Sequence, residues 1–321
     1  IKIGHFPVVL GHSIWANTQI WGSDGFLIYS APIKELMIGL GALKGYETAS
    51  NTNRTDADLY VLMANYTFIP KNTAGLNISY ILRSGAAGMG KTLPNAYWSA
   101  LSADGAAFNE INNMRFWNIM LTVDGSFDFG LNYKFEIDKQ FGKLDAQGYD
   151  DIRDVAGGLK GRGYAFLIGA SYSILEIAEV RLNTAYGSGD KCANWGAAPA
   201  TGDACSSTGN KFEGYLSFNN YGYTMVYEDI VGQKRSRGIK DSDGAYTSGL
   251  GNTDFGLYNT MYLNVGASVT PLKDMSISLD LYYLRALKEF YYGQKKNIGW
   301  EGDLTFSYNI YKNLKWTFMT G

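Results

Sequence analysis

The sequence predicts an all-β fold, a transmembrane antiparallel up-and-down β-barrel. Three observations carry this prediction. Apolar and polar residues alternate with period two in segment after segment, the links between segments are short and long by turns, and aromatic residues gather toward segment ends. Composition agrees: 24 Tyr, 16 Phe and 7 Trp stand beside 39 Gly, with only 6 Pro and 2 Cys, a mix suited to many strands joined by Gly-rich turns.

In chain order, residues 1–8 read as part of a strand, followed by candidate strands at 26–31, 35–46, 58–69, 76–84 and 115–123. The next segment, "FDFGLNYKFEID" at 127–138, alternates most cleanly. Phe127, Phe129, Leu131, Tyr133, Phe135 and Ile137 form one face, and Asp128, Asn132, Lys134, Glu136 and Asp138 form the other. Strands at 162–173, 177–187 and 257–270 come next, then "MSISLDLYY", in which Met275, Ile277, Leu279 and Leu281 oppose Ser276, Ser278 and Asp280. "WEGDLTFSYNI" sets Trp300, Leu304, Phe306, Tyr308 and Ile310 against Glu301, Asp303, Thr305, Ser307 and Asn309, and 314–320 closes the series.

Short links fall at 32–34, 70–75, 124–126, 174–176, 271–274 and 311–313, and long ones at 9–25, 47–57, 85–114, 139–161, 188–256 and 289–299. Short turns at one end and long loops at the other are the pattern of an outer-membrane barrel, with the long loops extracellular. Residues 1–321 are therefore expected to form one barrel domain with a long extracellular loop region at 188–256, in which "YLSFNNYGYTMVY" has room for a further hairpin. Single-chain bacterial barrels close on an even number, so about 14 to 18 strands are expected, with the chain ends outside the numbering.

A soluble β-sandwich also alternates apolar and polar residues, but gives tyrosine and tryptophan no reason to collect near strand ends. Here Tyr29, Tyr60, Tyr66, Tyr80, Trp117, Tyr133, Tyr164, Tyr172, Tyr186, Tyr283, Trp300 and Trp316 lie mostly there, as in the aromatic girdles of barrels. Mean hydropathy is −0.15, and no long uncharged apolar run is present, which argues against a spanning helix and leaves a barrel open. The 28 basic and 30 acidic residues give no electrostatic footprint for nucleic acid.

"GAAGMGKT" at 85–92 matches a phosphate-binding P-loop, with Asp124 in the place of a magnesium-holding acid. The strand before it sets Leu76, Ile78, Tyr80 and Leu82 against Asn77, Ser79 and Arg83. That is half-wet, whereas a parallel nucleotide-binding sheet needs strands apolar on both faces. Pro94 and "ADG" at 103–105 make a poor helix of the residues after Thr92, and Asp124 falls in a hairpin link. The stretch reads as the start of an extracellular loop.

The segment "GASVTPLKDMSISLDLYYLRALKE" with "IGWEGDLTFSYNIYKNLKWTFMTG" resembles the closing hairpins of bacterial outer-membrane porins of the alginate-export family. "IGHFPVVLGHSIWANTQIWGSDGFLIYSAP" resembles an early hairpin of the same family, and "AYGSGD" at 185–190 fits a strand top before the longest loop. The resemblance implies a passive channel in a Gram-negative outer membrane. The alginate exporter has a strongly basic lumen for a polyanion. Here the polar faces, assigned inward, give lumen-lining Asp128, Glu136, Asp138, Glu179, Asp280, Glu301 and Asp303 against Arg83, Lys134, Arg181 and Lys315. Such a lumen repels a uronate polymer and mildly favours cations or neutral solutes.

The expected function is a porin for small ions or neutral solutes. The alternative is a barrel sleeve or docking partner for another protein, such as a multihaem cytochrome; no Cys-x-x-Cys-His occurs, so this chain would be the sleeve. Enzymatic activity is not expected: His5 and His12 are the only histidines, which leaves catalytic, metal and cofactor assignments empty. Cys192 and Cys205, in a loop of an exported protein, are read as a disulfide. Asp190, Asp241 and Asp243 have oxygen ligands to offer Ca²⁺, but turn formation explains Gly-Asp and Asp-Gly pairs more simply. The partners expected are outer-membrane lipid, lipopolysaccharide, also a candidate for the basic 234–243 run, and small solutes; a homo-oligomer stays open, and nucleic acid is not expected.

Overall fold

A computed structural model describes residues 1–17, 22–46, 57–84, 111–146, 159–174, 177–189, 211–216, 257, 259–288, 296–312 and 314–321. The elements are β1 Lys2–Phe6, β2 Val9–Leu10, β3 Ala16–Asn17, β4 Ser23–Ile33, β5 Leu36–Tyr46, β6 Ala57–Ile69, β7 Asn72–Ser84, β8 Ile111–Ser126 and β9 Leu131–Ala146. They continue as β10 Leu159–Gly161, β11 Tyr164–Ile174, β12 Ala178–Gly187, β13 Lys211–Phe212, β14 Thr260–Leu272, β15 Met275–Ala286, β16 Asn297–Tyr311 and β17 Leu314–Thr320. Among the described residues no helix is long and apolar enough to cross a membrane.

The main sheet runs β1-β4-β5-β6-β7-β8-β9-β11-β12-β14-β15-β16-β17, every neighbouring pair on this path antiparallel. Each strand thus pairs with the next one in sequence along the path, the up-and-down order that short turns enforce. β10 pairs with β9, β13 pairs with β10 in parallel, and β2–β3 is a separate hairpin.

Every predicted strand overlaps a strand of this path, but one link moves. The sequence places the turn between β8 and β9 at 124–126; the chain turns at 127–130 instead. Gly130 there adopts φ +97° and donates to the Phe127 carbonyl, while the Phe127 amide donates to the Leu131 carbonyl. Phe127 and Phe129 prolong the apolar alternation through the turn because their rings stack, 5.4 Å apart, and Phe127 packs on Tyr133 at 5.6 Å. Asp124 is therefore a strand residue and not a hairpin residue, and Asp128 belongs to the turn.

One face of the sheet is apolar and exposed. Ile28, Leu40, Leu62, Leu121, Ile137, Ile168, Leu182, Leu263, Val265, Leu279 and Leu281 all lie on it. A face this extensive needs lipid or protein to cover it. Toward the long-loop end it is bounded by a row of rings standing opposite one another on β6, β7, β8 and β9. Tyr60 stacks on Tyr80 at 6.4 Å, Tyr80 meets Trp117 at 4.5 Å, and Trp117 stacks on Phe141 at 6.4 Å. Tyr164 and Tyr186 continue it at 5.6 Å. Phe127, Phe129, Tyr133 and Tyr172 gather at the short-turn end. On β9 the two rows stand at Phe141 and Tyr133, about 26 Å apart along the strand, which after strand tilt suits the apolar band of an outer-membrane barrel. Tyr29 departs from the girdle, since it faces the opposite side with Leu27 and Met37.

The opposite face divides in two. Toward the long-loop end Leu43, Leu59, Val61, Ile81, Phe116 and Leu167 are buried under chain that folds back over them, Val8, Leu10, Ile14 and Trp15 from one segment and Tyr215 and Leu216 from another. Toward the short-turn end this face carries polar and charged side chains.

Candidate functional site

The polar half of the inner face is built by strand alternation. Asp124 on β8, Lys134 and Glu136 on β9, Ser171 on β11, Glu179 and Arg181 on β12, and Ser278 and Asp280 on β15 all occupy inward positions of adjoining strands. An open cleft of about 480 Å³ lies against it, lined by Lys71, Asp124, Asn132, Lys134, Ser171, Glu179, Arg181 and Asn183, with glycines between.

Arg181 is the centre of the polar network. Its Nε donates to Asp280 Oδ1 at 2.9 Å and its Nη2 to Asp280 Oδ2 at 2.6 Å and to the Ser278 hydroxyl, while Glu179 Oε1 lies 3.7 Å away. Asn264 adds a hydrogen bond to Asp280 at 3.1 Å, and Asn183 donates to Asn264 at 2.9 Å. Gly266 stands between Arg181 and Asp280 in the register, and a Cβ there would run into both side chains. A glycine at this point lets the guanidinium lie flat across the wall.

The other inward charges fall into distinct settings. Glu136 and Asp138 are 0% exposed. Both point inward as expected, yet neither lines open space, because the folded-back segments cover them. The His12 amide donates to Glu136, Tyr215 donates its hydroxyl to Asp138 at 3.2 Å, and Asn118 donates to Asp138 at 2.7 Å. Asp128 corrects the lumen assignment outright: it lies in the turn, its side chain 93% exposed, bonded at 2.8 Å to Lys71 in the neighbouring turn. The hydrogen bond from Lys71 holds the Asp128 carboxyl below its usual range and raises the Lys71 ammonium in return.

Asp303 stands opposite Asp280 and is buried, whereas Glu301 is half-buried opposite Tyr282. Lys315 lies on the edge strand β17, exposed opposite Asn309. The Arg83 side chain, Cys192, Cys205, Asp190, Asp241, Asp243, the 234–243 run and "GAAGMGKT" lie outside the described residues.

Sequence reasoning missed the residues that hold the folded-back chain. Gln140 donates to the Leu216 carbonyl at 2.6 Å and accepts from the Leu216 amide at 2.8 Å, acting as a backbone unit would. His12 Nε2 sits 3.1 Å from Asp124 Oδ1. Trp15, 1% exposed, meets Tyr215 edge-on at 6.5 Å, so the two segments also hold each other. The available signal was the apolar stretch "VVLGHSIWA" inside what reads as a loop, with Gly11 and Ser13 at φ +57° and +77° making its tight turn.

No protein-family model matches the sequence, and no curated protein matches it. Solved outer-membrane barrels do match the structure. OccK3 (OpdO) of Pseudomonas aeruginosa is similar with TM-score 0.53 and 13% identity over 98% of this chain and 69% of that one. OccK5 (OpdH) of the same organism is similar with TM-score 0.51 and 12% identity over 98% and 70%. The outer membrane channel DcaP of Acinetobacter baumannii has TM-score 0.49 and 7% identity over 98% and 71%. At these identities the likeness is one of fold: the chain has the architecture of an outer-membrane β-barrel.

Proposed function

We propose that the chain forms a passive channel in a Gram-negative outer membrane, admitting small ions or neutral solutes with a bias toward cations. The observation that carries this reading is the open polar half of the inner face. Asp124, Glu179, Asp280 and Glu301 face Lys71, Lys134 and Arg181 there, and two of these three cations are already spent, Lys71 on Asp128 in the turn and Arg181 on Asp280. Excess carboxylate along a water-filled wall attracts cations and raises their local concentration. No reaction is needed, since diffusion supplies the transport.

The hairpins at both ends of the sequence, which resemble those of alginate-export porins, support the channel reading at a finer level. The acidic wall opposes a uronate polymer as cargo. Reconstitution into a planar bilayer under a KCl gradient tests the proposal. A stable conductance whose reversal potential favours K⁺, unblocked by alginate oligomers, is the expected result. A folded barrel that carries no current, or one that selects anions, would overturn it.

A further inference from the structure

Outside the lumen, four basic residues stand side by side on the exposed face. Arg115 on β8 is opposite Lys143 on β9, Lys143 is opposite Lys160 on β10, and Lys160 is opposite Lys211 on β13. All four are exposed. Phe116, next to Arg115, is buried on the inner side, and a Cβ on Gly161, next to Lys160, would meet its ring, which fixes the row on the outward side. At the strand spacing of a sheet the row is about 14 Å long. Like charges directly opposite one another repel, and among the described residues no carboxylate pairs with Arg115, Lys143 or Lys160.

Position says what neutralises them. One outward step toward the short turns, on the same two strands, are Trp117 and Phe141 of the ring row, and beyond them Leu121 and Ile137 of the apolar band. The basic row therefore sits at headgroup depth on the long-loop side. Lys139 lies on the band side of Phe141, opposite Ile119 and Tyr164, where its ammonium donates to the Arg162 carbonyl at 2.9 Å and stands 5.4 Å from the Tyr164 ring.

We infer that Arg115, Lys143, Lys160 and Lys211 form a binding site for a phosphorylated lipid headgroup of the outer leaflet, its acyl chains lying against Trp117, Phe141 and the aliphatic band. Arginine takes phosphate through two parallel hydrogen bonds and lysine acts as a point charge, so a row of both suits a headgroup bearing more than one phosphate. The inference needs the outer face to meet lipid; it does not need the lumen to conduct.

The test uses the purified, delipidated barrel in neutral detergent, titrated with diphosphorylated lipid A, with dephosphorylated lipid A and with inorganic phosphate, and read by native mass spectrometry. Diphosphorylated lipid A is expected to bind at least about tenfold more tightly than either comparison probe. The variant with Arg115→Gln, Lys143→Gln and Lys160→Gln is expected to lose that margin, whereas Arg285→Gln, an exposed cation outside the row, keeps it. Heat-dependent gel migration reports that each variant is folded. Equal binding of the two lipid forms by the unmodified chain would overturn the proposal without recourse to any variant, as would phosphate binding as tightly as the lipid. A folded triple variant that retains full affinity would do the same.

Discussion

Asp280 holds the Arg181 guanidinium with two charge-assisted hydrogen bonds, and Ser278 and Asn264 complete the set. Both charged side chains are 19% exposed, so the pair is partly shielded from water and its loss is felt. Asp280→Asn removes one negative charge from the wall and frees Arg181 to project into the open space. The expected outcome is a fall in K⁺ over Cl⁻ preference in the reversal potential, with about 1–3 kcal/mol lost from unfolding free energy in denaturant titration. Unchanged selectivity in a folded variant would separate Arg181 from the permeation path. The sequence shows that Glu179 and Arg181, two apart on one strand, share a face. The stronger partner lies 99 residues away, and only the register Arg181–Gly266–Asp280 brings it close.

The folded-back segments explain where sequence patterning stops. Period two is clean where the inward positions are polar, as on β9 and β16, whether water or returning chain lies over them. On β6 the run Leu59, Tyr60, Val61, Leu62, Met63 is apolar on both faces, because Leu59 and Val61 pack beneath the returning chain while Tyr60 and Leu62 stay exposed. Loss of alternation marks a covered wall only where the covered residues are apolar; on β9 they are Glu136, Asp138 and Gln140, so these were legible as inward but not as sealed. Gln140 is the element-scale lever, since its side-chain amide makes two hydrogen bonds to the Leu216 backbone. Gln140→Ala leaves both backbone groups without that partner at a cost of about 1–3 kcal/mol, enough to loosen residues 213–216 from the wall. Larger and noisier single-channel conductance is the expected result, with a protease or exchange probe showing faster opening of that segment. Identical conductance and exchange would mean that the remaining contacts, Tyr215 with Asp138, Ser188 and Trp15, hold the segment without Gln140.

For the whole molecule, the exposed apolar face has a position-dependent consequence that a soluble sandwich does not share. Leu121, 49% exposed, pairs with Ile137 midway between the ring rows, and Leu182, 52% exposed, occupies the same band on β12. Lysine at such a depth must be carried into hydrocarbon, which in barrels costs about 2–4 kcal/mol, while the same charge near an interface costs about 0–1 kcal/mol. Leu121→Lys and Leu182→Lys are therefore expected to destabilise the barrel in phospholipid bilayers by the larger amount, and Tyr172→Lys, at the short-turn ring row, by the smaller. Thr122→Asn, on the inner face one residue from Leu121, is the control for local damage. The measurement is equilibrium unfolding in bilayers of fixed thickness. A cost that is large at Leu121 and Leu182 and small at Tyr172 locates the membrane on the sheet. Equal small costs at all three positions would mean that water or protein, rather than lipid, covers this face.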